Sequence, residues 1–170
     1  MRRVRYVVVA SLDGYITAPN EEIDWIPTDP DFDFGALYSE FDTALIGRRT
    51  FEVMVKSGQG LLPGMETFVF SRTLRQSDYK RVTVVAEKPE ATLAALRAKQ
   101  GKDIWLFGGG SLFRSLAEAK LVDSVEVTVM PVLLGGGIPL LPSSAKRINL
   151  RLESQKVYKT GGVSLIYAVT

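Results

Sequence analysis

The chain has 170 residues, 46% apolar and 24% charged, the make-up of one globular domain with a sizeable core. It contains neither cysteine nor histidine, which excludes disulfides, thiolate nucleophiles, Ser-His-Asp triads and the usual zinc sites. The formal net charge is only +2 with no long Lys/Arg tract, and no apolar run approaches the ~18–20 residues of a membrane span, so neither nucleic acid nor membrane is an expected partner.

The first element is VRYVVVA (Val4–Ala10), whose apolar run stops at Asp13; it reads as a strand, not a targeting segment. It ends in ASLDGYIT and is followed by a loop of nearly twenty residues, APNEEIDWIPTDPDFDF, a length that is often functional. The loop offers Trp25 and the acids Glu21, Glu22, Asp24, Asp29, Asp31 and Asp33. A short helix, FGALYSEF, precedes a buried strand, TALIG (Thr43–Gly47).

That strand runs into RRTFEVMVK, a helix with Arg48, Arg49 and Thr50 at its start. Two guanidiniums conflict with the positive end of the helix dipole unless an anion lies between them, and arginine forks suit phosphate oxygens. The plainer alternative is a pair of solvated arginines with Phe51 and Met54 facing the core. The next strand, TFVFS (Thr67–Ser71), ends in Ser71-Arg72-Thr73, again suited to phosphate. Val82–Ala86 is a further strand, and PEATLAALRAKQG a helix with Pro89 in its first turn and Gly101 as its stop.

DIWLFG (Asp103–Gly108) then meets Gly109, Gly110, Ser111 and Leu112 and the helical pattern SLFRSLAEAKL. Phe113 stands where a dinucleotide fingerprint would place its third glycine, and no Gly-Lys-Ser/Thr follows, so neither the Rossmann nor the P-loop signature is met. The glycines still admit a ligand to the backbone beside a helix N-terminus, where Ser111 can cap the helix or donate to phosphate. Three strand ends of this kind on one sheet edge suggest a ligand with more than one phosphate.

The tail, SVEVTVMPVLL, NLRLESQKVYK and VSLIYAV, reads as strands without helices between them and predicts antiparallel strands added at one sheet edge. Gly135–Gly137 between Pro131 and Ile138 have a structural role, as a rim of the site or a subunit contact. The sum is an α/β fold with a mainly parallel central sheet, antiparallel C-terminal strands and flanking helices, in a single domain over residues 1–170.

The ordered set ASLDGYI, LIGRRTFE, LPGMETFVFSRT, IWLFGGGSLF and VMPVLLGGGIPLLP resembles the dihydrofolate reductase-like superfamily, and within it the branch of the RibD C-terminal reductase domain, here standing alone. The resemblance implies NADPH as cofactor and hydride transfer to a small-molecule substrate. It implies that Gly47, Arg48, Arg49 and Thr50 form a pyrophosphate and 2′-phosphate site, with Ser71 and Arg72 beside the adenosine 2′-phosphate. Gly108, Gly109, Gly110, Ser111 and Leu112 would cradle the pyrophosphate, and backbone groups near Ala10 and Ile16 would hold the nicotinamide carboxamide.

On the substrate side it points to Trp25 and Glu126, with Asp13 and Asp31 as candidate acids; Asp31 lies sixteen residues before Gly47, where dihydrofolate reductases carry an acid, and Asp29 and Asp33 compete for that place. The expected activity is reduction of a small heterocyclic metabolite, most like the 5-amino-6-(5-phosphoribosylamino)uracil of riboflavin biosynthesis. The alternatives are dihydrofolate reductase and, from another class, a non-catalytic nucleotide-binding module. A cytoplasmic homodimer without metal is expected.

Overall fold

Val4 to Ser11 form β1, the strand on which the sheet is organised. The chain continues through β2 (Tyr15–Thr17), α1 (Phe34–Ser39), β3 (Phe41–Gly47), α2 (Arg48–Ser57), β4 (Glu66–Phe70), β5 (Thr83–Val85), α3 (Pro89–Ala98), β6 (Asp103–Gly108) and α4 (Gly110–Glu118). It closes with β7 (Ser124–Met130), β8 (Ile138–Pro139), β9 (Leu150–Val157) and β10 (Val163–Val169). This computed structural model describes residues 1–58, 60–143 and 146–170.

Eight strands make one sheet in the order β5-β4-β3-β6-β1-β7-β10-β9, while β2 and β8 form a small separate pair. Alternate residues of each central strand feed two cores. Val4, Tyr6, Ile104 and Leu106 pack with Leu93, Leu96, Phe113 and Leu116 of α3 and α4. Ala44, Ile46, Val69 and Trp105 pack with Phe51 and Met54 of α2 on the opposite face. Burial on both sides explains why the strands read as nearly unbroken apolar runs. No described helix is long and apolar enough to cross a membrane.

The tail divides differently from the sequence expectation. β7 runs parallel to β1, in register from Arg5↔Ser124 to Ser11↔Met130. In the eight-stranded sheet β10 is antiparallel to both of its neighbours, β7 and β9. The cause is α4, which carries the chain back across the sheet between β6 and β7 and so restores the parallel direction.

Two glycine positions show what the backbone requires. A Cβ on Gly137, at φ +128°, would stand 1.9 Å from the Thr17 carbonyl oxygen, so only glycine lets this segment meet the β2 backbone. Gly110 begins α4 beneath the 139–142 segment: a Cβ there would lie 2.7 Å from Pro142 Cδ and 2.9 Å from the Pro139 carbonyl oxygen. Gly110→Ala is therefore expected to cost about 1–3 kcal/mol, read as a lower midpoint in thermal unfolding. An unchanged midpoint would mean that this contact is slack.

Candidate functional site

β1 and β6 pair only from Val4↔Ile104 to Tyr6↔Leu106. Beyond that point β1 follows β7 to Ser11, and β6 follows β3 to Gly108. The two strands therefore part at their C-terminal ends, where the strand order reverses, and this is where open α/β sheets take ligands. The Trp105 indole N–H donates to the Val7 carbonyl at 3.2 Å and closes the last ladder position before the gap.

Backbone direction decides which groups face this crevice. The Arg3 carbonyl accepts from Ile104 of β6, and the Val4 carbonyl accepts from Asp123 on the β7 side. Alternation then turns the peptide groups of Val9 toward the crevice and those of Ala10 toward β7, where Ala10 is in register with Val129. Ile16 is the central residue of β2, and its neighbours Tyr15 and Thr17 are the ones that pair with β8.

Two helices start at this edge, directly from adjacent strands. Gly47 is the N-cap of α2 and Gly109 that of α4, and neither helix has a side-chain cap. Their starts are packed together: a Cβ on Gly47 would lie 3.5 Å from the Gly108 carbonyl oxygen, and one on Gly109 3.2 Å from Thr50 Oγ1. Two sets of unpaired N–H groups and two positive dipole ends thus converge. Ser111 does not cap α4; it lies inside the first turn, because the chain enters the helix one residue earlier, at Gly110.

The arginines differ in how they are held. Arg48 pairs with Glu52 at 3.0 Å, one turn along α2. Arg49 pairs with Glu21 of the long loop. Ser71 Oγ accepts the N–H groups of Thr73 and Leu74 at 3.1 and 3.0 Å, which fixes the turn after β4. Arg72, on that turn, is exposed and makes no ion pair among the described residues.

Residues 18–33 form a strap across the same edge. One foot is the Glu21–Arg49 pair beside α2. The other foot stands on the β9–β10 turn: Asp29 Oδ2 accepts the Thr160 N–H at 3.0 Å, and Lys159 pairs with Asp31 at 3.1 Å. Trp25 is half-buried, with its indole N–H on the Glu22 carbonyl at 3.3 Å. Asp33 caps α1 by accepting the Ala36 N–H at 2.8 Å.

Asp13 is an anchor point. Its carboxylate accepts the Ser11 hydroxyl at 2.6 Å and the N–H groups of Leu134 and Gly135 at 3.1 and 2.7 Å. The Ser11 hydroxyl, then those two N–H groups, hold the carboxyl below its ordinary range, desolvation opposing them. Because the folded value lies below the unfolded one, the clamp is complete above about pH 4 and is lost as pH falls through the folded value. Amide exchange at Leu134 and Gly135, corrected for intrinsic rate, is expected to speed up on acidification in the wild type. In Asp13→Asn it should be fast at every pH, and equal protection in both proteins would contradict the clamp.

Glu126 is buried and paired with Arg5, Nε to Oε1 at 2.6 Å and Nη2 to Oε2 at 2.8 Å, and it also accepts the Ser124 hydroxyl at 2.9 Å. Arg5, over the Phe41 ring at 4.6 Å, reaches Glu40 and Asp103 as well. Burial works against the charge on Arg5, but Glu126 and Glu40 more than offset it and hold the guanidinium protonated. Lys156, at this edge, and Arg5, toward the N-terminal ends of the strands, are residues that motif reading passed over.

Two open cavities lie elsewhere. One of about 450 Å³ adjoins Arg2 and Arg97, which are already paired with Asp42 and Asp123. The other, about 370 Å³, lies between α2 and residues 78–82.

Comparison with known proteins places the fold in a family. Residues 2–165 match the family model of the RibD C-terminal domain. Two Bacillus subtilis proteins are each 32% identical: "Uncharacterized protein YyaP", over 98% of this chain and 94% of its own length, and "Uncharacterized protein YwjB", over 92% of each. A solved structure named "Putative riboflavin biosynthesis protein", from Shewanella sp. PV-4, superposes with TM-score 0.84 and 28% identity over 100% of this chain and 99% of its own. A diaminohydroxyphosphoribosylaminopyrimidine deaminase/5-amino-6-(5-phosphoribosylamino)uracil reductase of Thermotoga maritima shares the fold at TM-score 0.75 and 13% identity, with this chain covering 57% of it. The chain belongs to the RibD C-terminal domain family.

Proposed function

We propose that the protein is an NADPH-dependent reductase of a small heterocyclic metabolite, of the 5-amino-6-(5-phosphoribosylamino)uracil type. The observation that carries this reading is the parting of β1 from β6 beside two uncapped helix N-termini, with Arg72 uncommitted nearby. Bound NADPH supplies the hydride. The chain supplies N–H groups and guanidiniums for the phosphates, the Val9 peptide for an amide, and a sheet surface on which substrate lies against the crevice. Asp13 acts as a loop clamp in this reading: a carboxyl held ionised by three donors is a poor proton source near neutral pH.

The folate alternative asks for an acid on α1. That helix carries none in its first turn, and Asp29, Asp31 and Asp33 are engaged by Thr160, Lys159 and Ala36. The test is loss of reduced-nicotinamide absorbance with 5-amino-6-(5-phosphoribosylamino)uracil and with dihydrofolate. Turnover of the first alone is expected. Turnover of dihydrofolate alone would replace the reading, and NADPH binding without turnover of either would favour a nucleotide-binding module.

The proposal includes a homodimer. Leu150, Leu152 and Val157, at 43, 47 and 71% exposure, share one sheet face with Val169, Tyr167 and Val163, leaving an apolar surface at the β9 edge. Light scattering is expected to give twice the 18.7 kDa chain mass, and Leu152→Glu the single mass.

A further inference from the structure

The cavity of about 370 Å³ beside α2 has the size of a small-molecule site and no part in the reductase reading. It lies where residues 78–82 lead into the N-terminal end of β5, whereas the crevice opens at the C-terminal ends of the parallel strands. Phe51, Met54 and Val82, at 2, 6 and 7% exposure, underlie it. The half-buried Tyr79 meets the Phe51 ring edge-on at 5.1 Å. Together they offer a ligand apolar and aromatic surface.

One side chain holds the facing wall in shape. Gln76 donates from Nε2 to the carbonyls of Tyr79 and Val82 at 2.9 and 2.8 Å, and its Oε1 accepts the Val84 N–H at 2.8 Å. The turn is closed on itself, so this wall is ordered before a ligand arrives and little entropy is lost in forming the site.

The rim carries an excess of positive charge. Lys80 and Arg81 line the cavity, are exposed, and make no ion pair or hydrogen bond among the described residues. Asp78, the one acid among the described lining residues, accepts the Ser77 hydroxyl at 2.9 Å. Two cations against one acid, over an aromatic floor, complement a ring that carries a carboxylate, with the apolar body inside and the charge at the mouth.

We propose that this cavity is a second ligand site, for a small aromatic carboxylate, with the ring against Phe51, Met54 and Tyr79 and the carboxylate at Lys80 and Arg81. Its occupation does not depend on what the crevice holds.

The probes are 2-naphthoate and its uncharged carboxamide, titrated into protein isotope-labelled at the methionine methyl carbons, with and without saturating NADPH. The chain has four methionines, and Met54 lines the cavity. The acid is expected to shift the Met54 methyl resonance and to bind about three- to tenfold more tightly than the amide, the range that two exposed charge pairs give. The double variant Lys80→Gln with Arg81→Gln should lose that preference and keep its affinity for the amide. Val55→Glu, at a lining position of α2 that is 56% exposed, should independently weaken the acid more than the amide. NADPH should leave both affinities unchanged. No Met54 shift with either probe, equal affinity for acid and amide, an intact preference in the double variant, or displacement by NADPH overturns the assignment. Failure of the protein to bind NADPH defeats the reductase reading separately, and the titrations without cofactor still decide the cavity.

Discussion

Arg72→Ala raises the Kd for NADPH by about 10- to 100-fold and leaves that for NADH within about twofold, the range expected when a charge-assisted hydrogen bond to one phosphate is removed. The asymmetry follows from how the side chain is held. Ser71 ties the turn after β4 through the N–H groups of Thr73 and Leu74, so the backbone at Arg72 is fixed without help from its own side chain. The guanidinium has no carboxylate among the described residues to leave when an anion arrives. Arg48 and Arg49 must each be shared with Glu52 or Glu21, so alanine there removes a cation but also disengages an acid. Their effects on affinity are expected to be smaller. Arg72→Lys should recover part of the loss, since an ammonium keeps the charge but not the fork. Equal losses for both cofactors would refute a 2′-phosphate contact at this turn.

Strand ends, helix starts and the sheet class were legible in the sequence because burial on both faces leaves unbroken runs such as VRYVVVA and TALIG, and because glycine and arginine stand at their ends. The direction of β7 was not, since an alternating pattern in SVEVTVM reports one buried face and says nothing about its neighbour. The three glycines of GGGSLF carried two messages under one letter. Gly109 brings the α4 start against Thr50 at the crevice, whereas Gly110 makes room for residues 139–142, some thirty positions later in the chain. The sequence places Asp13 after the first strand and Asp31 sixteen residues before Gly47, but the groups that engage them, Leu134, Gly135 and Lys159, come from more than a hundred residues away. The Arg5–Glu126 pair did leave a trace. Each is the lone charge in its strand, and two buried charges of opposite sign are best accommodated together.

That pair carries the largest expected effect on stability. Arg5→Met removes the bidentate partner of a carboxylate whose side chain is 7% exposed, leaving only the Ser124 hydroxyl. Breaking a buried pair from one side costs about 3–5 kcal/mol, because the remaining charge stays out of water without compensation. For a domain of this length the loss corresponds to a midpoint lower by about 6–20 °C. Glu126→Gln should cost less, since Arg5 keeps Glu40 and Asp103 as partners. The double variant Arg5→Met with Glu126→Met should regain much of the single-variant loss, as apolar replacement of a whole buried pair often does. Activity then separates two roles for Glu126. If its carboxylate only neutralises Arg5, the double variant recovers KM along with stability; if it also touches substrate, stability returns while KM stays high. A double variant no more stable than Arg5→Met would show that the charges are not held against each other.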